Sequence, residues 1–142
     1  MPSKITERGT DPAFTSHDAG FTWIAHPDEG MQRASHALAT ETGVWLVDPV
    51  DAAGLTERID DHGEVAGVVL LLDRHERDAA AFARRYDVPV TMPAGVEREV
   101  DAPVDRADGR LRGTDYELLT VLDWPIWHEV GLFDGETLVV PE

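Results

Sequence analysis

The chain has 142 residues, enough for one domain with a real apolar core, and its hydrophobic share of 42% is ordinary for a globular protein. It has no cysteine, which excludes disulfides, thiolate zinc sites and cysteine nucleophiles. Aspartate and glutamate total 28 against 12 lysine and arginine, a formal net charge of −16. Such a surface repels nucleic acid phosphate and anionic membranes, so neither is expected as a partner.

No apolar stretch approaches the ~20 residues of a membrane helix. The N-terminus, from Met1 to Arg8, has no apolar segment of the signal-peptide kind, so a cytoplasmic location is expected. Residues 1–19 carry Pro2, Gly9, Pro12 and scattered charge without an apolar period, and read as a loose N-terminal segment. Phe21–Ala25 alternates aromatic and β-branched residues and predicts a first strand. A turn at Pro27–Gly30 follows, then a strand over Gln32–Ala39 with Ser35 and His36 inside it, a turn at Thr42–Gly43, and a strongly apolar strand over Val44–Val47 that ends at Asp48.

Asp51 is placed to cap a helix over about Ala52–His62, with Leu55 and Ile59 four apart and Gly63 as its stop. The apolar run Val65–Leu72 reads as a buried strand. It stops at Asp73, and a second helix is predicted over Asp78–Tyr86. Val88–Val90 is a short strand that Pro89 confines to an edge or a strand start. Residues 93–110 read as an irregular surface excursion. Strands over Tyr116–Leu122 and Val130–Phe133 follow, and Asp134-Gly135 is a strong hairpin signal before a returning strand over Thr137–Val140. The order predicts a mixed α/β fold with parallel and antiparallel pairs. Trp23, Trp45, Trp124 and Trp127 lie in or beside strands, where core packing is the expected role; Trp127, next to His128, is the one suited to line a pocket.

Polar groups at the carboxyl end of a buried strand in an α/β sheet are where ligands usually sit. Asp73, His75 and Asp78 have that position and stand at i, i+2 and i+5. An imidazole and carboxylates on one turn can converge on a metal ion at about 2.0–2.2 Å. The same residues also have a bland use: Asp73 and Glu76 have the spacing of a capping box, and Arg74 and Arg77 are placed to pair with the acids. No two histidines have HExxH or HxH spacing. His36 reads as a hydrogen-bonded, half-buried strand residue; His17, His26 and His62 sit beside turns and read as solvated. There is no G-x-S-x-G elbow, P-loop or G-x-G-x-x-G.

The succession Val44-Trp-Leu-Val-Asp48-Pro, helix, Val68–Leu72, charged loop, helix and Val88-Pro-Val90 resembles the first half of the metallo-β-lactamase superfamily. That family has an aspartate at the end of an early strand, as Asp48 is here, then a T-H-x-H-x-D-H loop, a later G-H element and a strand ending in G-D. His75 matches the second histidine of the loop, while Asp73, Arg77 and Asp78 replace the first histidine, the aspartate and the last histidine. Trp127-His128 resembles the G-H element, and Glu142 stands for the bridging aspartate. The resemblance implies a metallo-β-lactamase-like half-sandwich, antiparallel strands followed by strand-helix-strand-helix units, in one domain over about residues 20–142.

The resemblance also implies a degenerate member. Arg77 falls where the family supplies a metal-binding carboxylate, and a guanidinium cannot ligate a cation. A two-metal hydrolytic site needs both ions. The expected function is therefore a binding or structural module, holding an anionic small molecule through Arg74 or Arg77 with Trp127 lining the pocket. The alternative is a metal-dependent hydrolase with an altered single-ion site of His75, His128 and Glu142, with Asp73 or Asp78, binding one zinc, iron or manganese ion. A homodimer through an exposed strand edge is a further expectation.

The carboxylate excess with Lys4 as the lone lysine resembles proteins of salt-in halophilic archaea. Self-repulsion at this charge is screened by salt. The thermal unfolding midpoint is expected to rise between low and molar KCl; a midpoint that stays flat contradicts the halophilic reading.

Overall fold

A computed structural model describes residues 7–29, 32–72, 77–125 and 127–141. It contains a seven-stranded sheet and a three-stranded sheet. The large sheet runs β1 (Ala13–His17), β2 (Gly20–Ile24), β3 (Ala34–Thr40), β4 (Gly43–Val47), β5 (Val65–Val69), β6 (Val90–Pro93) and β7 (Val104–Ala107), in that spatial order. The first four strands are antiparallel neighbours. From β4 onward the pairing is parallel. Helix α1 (Leu55–Asp60) joins β4 to β5 and α2 (Ala79–Tyr86) joins β5 to β6, as parallel neighbours require. The small sheet is an antiparallel meander of β8 (Glu117–Trp124), β9 (Trp127–Phe133) and β10 (Leu138–Val139).

One buried apolar cluster takes in both sheets and both helices. Phe21, Trp23, Trp45 and Val68 come from the large sheet, Leu70 from just after β5, Leu55, Ile59 and Phe82 from the helices, and Val130, Leu132 and Val139 from the small sheet. Leu55 and Ile59 are buried four residues apart on α1, as their spacing demands. Packing fixes sequence closely at Gly67: a Cβ there would lie 2.5 Å from the Trp45 ring, so only glycine lets that indole lie across β5. The mixed α/β architecture expected from the sequence is present. Among the described residues no helix is long and apolar enough to cross a membrane.

Several local expectations change. Residues 13–17, read as part of a loose segment, form edge strand β1, with Phe14 against Phe21. Gly9 is fastened as well: Gly9 N donates to Asp51 O and Ala53 N to Gly9 O, and a Cβ on Gly9 would meet the Ala25 carbonyl at 2.2 Å. The excursion at 93–110 contains β7, a second edge strand. Both edge strands are largely exposed and polar, so neither shows an apolar period. Asp51 does not cap α1; the N-cap is Gly54 in the left-handed region, and the helix is shorter than its apolar spacing suggested. Pro89 precedes β6, which is an interior strand paired on both sides. Trp124 is 62% exposed at the β8–β9 turn and is no core residue, whereas Trp23 and Trp45 are fully buried. His26 is half-buried with its Nε2 enclosed and lacking a hydrogen-bond partner, not solvated.

Candidate functional site

The parallel strands β4, β5 and β6 end at one rim of the large sheet, and the polar residues gather there. Asp48 follows β4 and is 1% exposed. Its φ of 47° is unusual for a residue with a side chain. That conformation turns its carboxylate toward β5, where Oδ1 accepts a hydrogen bond from Leu71 N at 3.0 Å. Its carbonyl oxygen accepts from Ser35 Oγ at 2.8 Å and from Arg77 Nη1 at 2.9 Å. Ser35, fully buried inside β3, in turn accepts from Val50 N at 3.1 Å.

Arg77 also has a positive φ, 50°, and its Nη1 donates a second bond to Ala34 O at 2.7 Å. The following residue extends the junction. Asp78 N donates to Pro49 O, and Asp78 Oδ2 accepts from Asp51 N at 2.8 Å. The start of α2 is thereby laced to the segment 48–51 by three hydrogen bonds from adjacent residues. Asp78 is the N-cap position of α2, but its carboxylate makes no capping bond to that helix. Asp51 turns its own carboxylate outward to Arg85 Nη2 at 3.1 Å.

The small sheet brings in the other candidates. Leu72 pairs with Glu129 across an isolated antiparallel bridge, and Val130 N donates to Leu71 O at 2.9 Å. The start of β9 therefore continues the large sheet at the end of β5, beside Leu72, the last described residue before position 73. His128 lies there, half-buried, its ring over Gly95 and its Nε2 2.6 Å from Asp123 Oδ1. Trp127 Nε1 donates to Glu129 Oε1 at 2.8 Å.

Of the residues singled out in the sequence, Arg77 and Asp78 sit at the Asp48 junction, and Trp127 and His128 sit on β9 at the end of β5. Asp73, Arg74, His75 and Glu142, with the capping partner Glu76, lie outside the described residues. Among the described residues no three His, Asp or Glu side chains are grouped so as to hold a metal ion. Of the described candidates, the Arg77 guanidinium lies at the Asp48 junction, the Asp78 carboxylate accepts from a backbone amide, and His128 faces Asp123.

Two partners were not singled out from sequence. Ser35 matters because β3–β4 pairing brings it to Asp48; a serine inside an apolar strand was its only local signal. Asp123 matters because the β8–β9 register sets it opposite His128. His36 behaves as expected for a half-buried strand histidine. Its Nδ1 is 2.8 Å from Thr22 Oγ1, which is 3.0 Å from His17 Nε2. Burial pulls its pKa below the ordinary 6.5; the Asp48 charge opposes this, while His17 and Arg77 add to it.

The fold has a known counterpart. The crystal structure of DIM-1 metallo-β-lactamase exposed to ceftazidime matches with a TM-score of 0.63 at 12% sequence identity, over 89% of this chain and 67% of that one. The chain thus has a metallo-β-lactamase-like fold. No family model matches the sequence, and neither does any curated protein.

The His36 environment predicts a pH effect. The native state holds a histidine whose pKa is below its unfolded value, so the unfolded chain takes up the proton first as pH falls. Stability from this group is complete above the unfolded pKa and declines below about pH 6.5 as the folded pKa is approached. In denaturant unfolding, the loss of stability between about pH 7 and pH 5 should be smaller in His36→Gln than in the parent chain. Equal losses contradict this assignment.

Proposed function

We propose that this metallo-β-lactamase-like domain works as a binding or structural module and lacks the dinuclear hydrolase centre of its fold family. The observation that carries this reading is Arg77. Its guanidinium donates to the carbonyls of Ala34 and Asp48 and brings a permanent positive charge to the strand ends. A cation bound nearby would be repelled by that charge, and the repulsion is strongest where water is excluded. The same charge favours an anionic small molecule, with Arg74 as its second contact and Trp127 on the pocket wall.

A second reading is favoured by a separate observation. The Leu72–Glu129 bridge brings His128 beside the strand end that leads to His75. A single divalent zinc, iron or manganese ion on His75, His128 and Glu142, with Asp73 or Asp78, would support a metal-dependent hydrolase. The carboxylate excess supports the proposal of a halophilic protein.

Elemental analysis separates the two readings. Protein purified without chelators or a histidine tag is expected to be metal-free, with the same unfolding midpoint in His75→Ala as in the parent. Near-stoichiometric zinc, iron or manganese that disappears in His75→Ala overturns the module reading and establishes the single-ion site.

A further inference from the structure

The small sheet is apolar on both faces. Its inner face sends Val130, Leu132 and Val139 into the core. Its outer face and turn carry Leu119, Val121, Trp124, Phe133, Leu138 and Val140, each between 37% and 62% exposed. Register joins these residues: Phe133 pairs with Leu138, and Leu119 pairs with Gly131. A Cβ on Gly131 would lie 3.3 Å from Val121 Cγ2 and 3.6 Å from Val140 Cγ1, so β8 and the end of the chain after β10 meet over that glycine. The result is one contiguous apolar patch, not scattered single residues. The sequence carries the same mark. Leu118-Leu-Thr-Val-Leu122 holds four aliphatic residues around one threonine, without the in–out alternation of a sheet that meets water on one side.

The rim of this patch is acidic. Glu117, Asp123, Asp134 and Glu136 are all exposed around it, and Arg110, bonded to Glu117 at 3.3 Å, is the base beside that edge. A second copy of the chain would set acidic rim against acidic rim, and like charges across an interface cost affinity. The complementary partner has an apolar stripe with positive flanks. A helix is the element that covers the face of a sheet, whereas a strand would add at its edge.

We propose that the outer face of the β8–β9–β10 sheet is a docking surface for an amphipathic helix of another polypeptide, its apolar stripe flanked by lysine or arginine. Leu119, Val121 and Leu138 seat the stripe. Trp124 closes one end, and the rim acids pair with the basic flanks. This surface shares Asp123 with the strand-end site and does not depend on that site's reading as a module or hydrolase.

The probe is a synthetic helical peptide with a leucine stripe flanked by lysines, compared with its glutamate-flanked counterpart. Binding is read by the emission of Trp124, with Trp124→Phe as the optical control. The lysine peptide should bind and shift the emission to the blue, an effect lost in Trp124→Phe, and the glutamate peptide should not bind. Val121→Glu should weaken the lysine peptide roughly tenfold, as removal of a central contact does. Bulk charge attraction predicts the opposite sign, because this variant is more negative. Leu138→Glu, on a different strand, gives the same test should Val121→Glu fail to fold. Lysine-peptide binding that survives both substitutions, or equal binding of both peptides, overturns the proposal. So does a concentration-dependent dimer in sedimentation that Val121→Glu dissolves, since the occupant is then a second copy.

Discussion

The structure depends on how the chain leaves β4. At Asp48 the backbone enters the left-handed region, a conformation that costs a non-glycine residue on the order of 1–3 kcal/mol and persists only where its surroundings impose it. Here they do so through three groups from separate parts of the sequence. Leu71 N on the β5 side holds the carboxylate, while Ser35 Oγ from β3 and Arg77 before α2 hold the carbonyl. One buried residue thereby ties the antiparallel half of the large sheet to its parallel half and sets the start of α2. Removing Arg77 would take one of the two donors from the Asp48 carbonyl, and removing the Ser35 hydroxyl would also leave the Val50 amide without its acceptor, and such penalties make the arrangement specific.

This junction bears directly on function. In an open α/β sheet the carboxyl ends of the strands are the natural ligand site, and the chain fills that region with a guanidinium and a backbone-bonded carboxylate. His128 approaches the same rim from the small sheet and is oriented by Asp123 and packed on Gly95. The surface divides in a comparable way. Carboxylates dominate it, with an apolar face on the small sheet bounded by four of them.

Much of the interior was legible in sequence. Strands β2, β4 and β5 and the β9–β10 hairpin are apolar runs bounded by turn residues, which keeps them easy to find; β6 was misplaced, since the strand expected over Val88–Val90 starts only at Val90 and runs to Pro93. Strands β1 and β7 were not legible because they are sheet edges. Their side chains mostly meet water, and a polar edge leaves no period to find. Asp51 looked like a helix cap because local spacing allows it, but its amide is held by Asp78 and its carboxylate by Arg85, both distant in sequence. Asp48 could be singled out as a strand-end aspartate. Ser35 and Asp123 could not, since each acquires its role from strand register. Trp124 shows the reverse limit: a large aromatic beside a strand implies burial only where some layer covers it.

The central claim is that Arg77 is a structural clamp at the strand ends, and the most direct measurement is the unfolding free energy of Arg77→Leu in molar KCl. A clamp leaves the Ala34 and Asp48 carbonyls short of a donor when it is removed, so the variant should lose about 2–3 kcal/mol relative to the parent. A variant as stable as the parent would contradict the account and would mean that Arg77 lies at the strand ends without holding them.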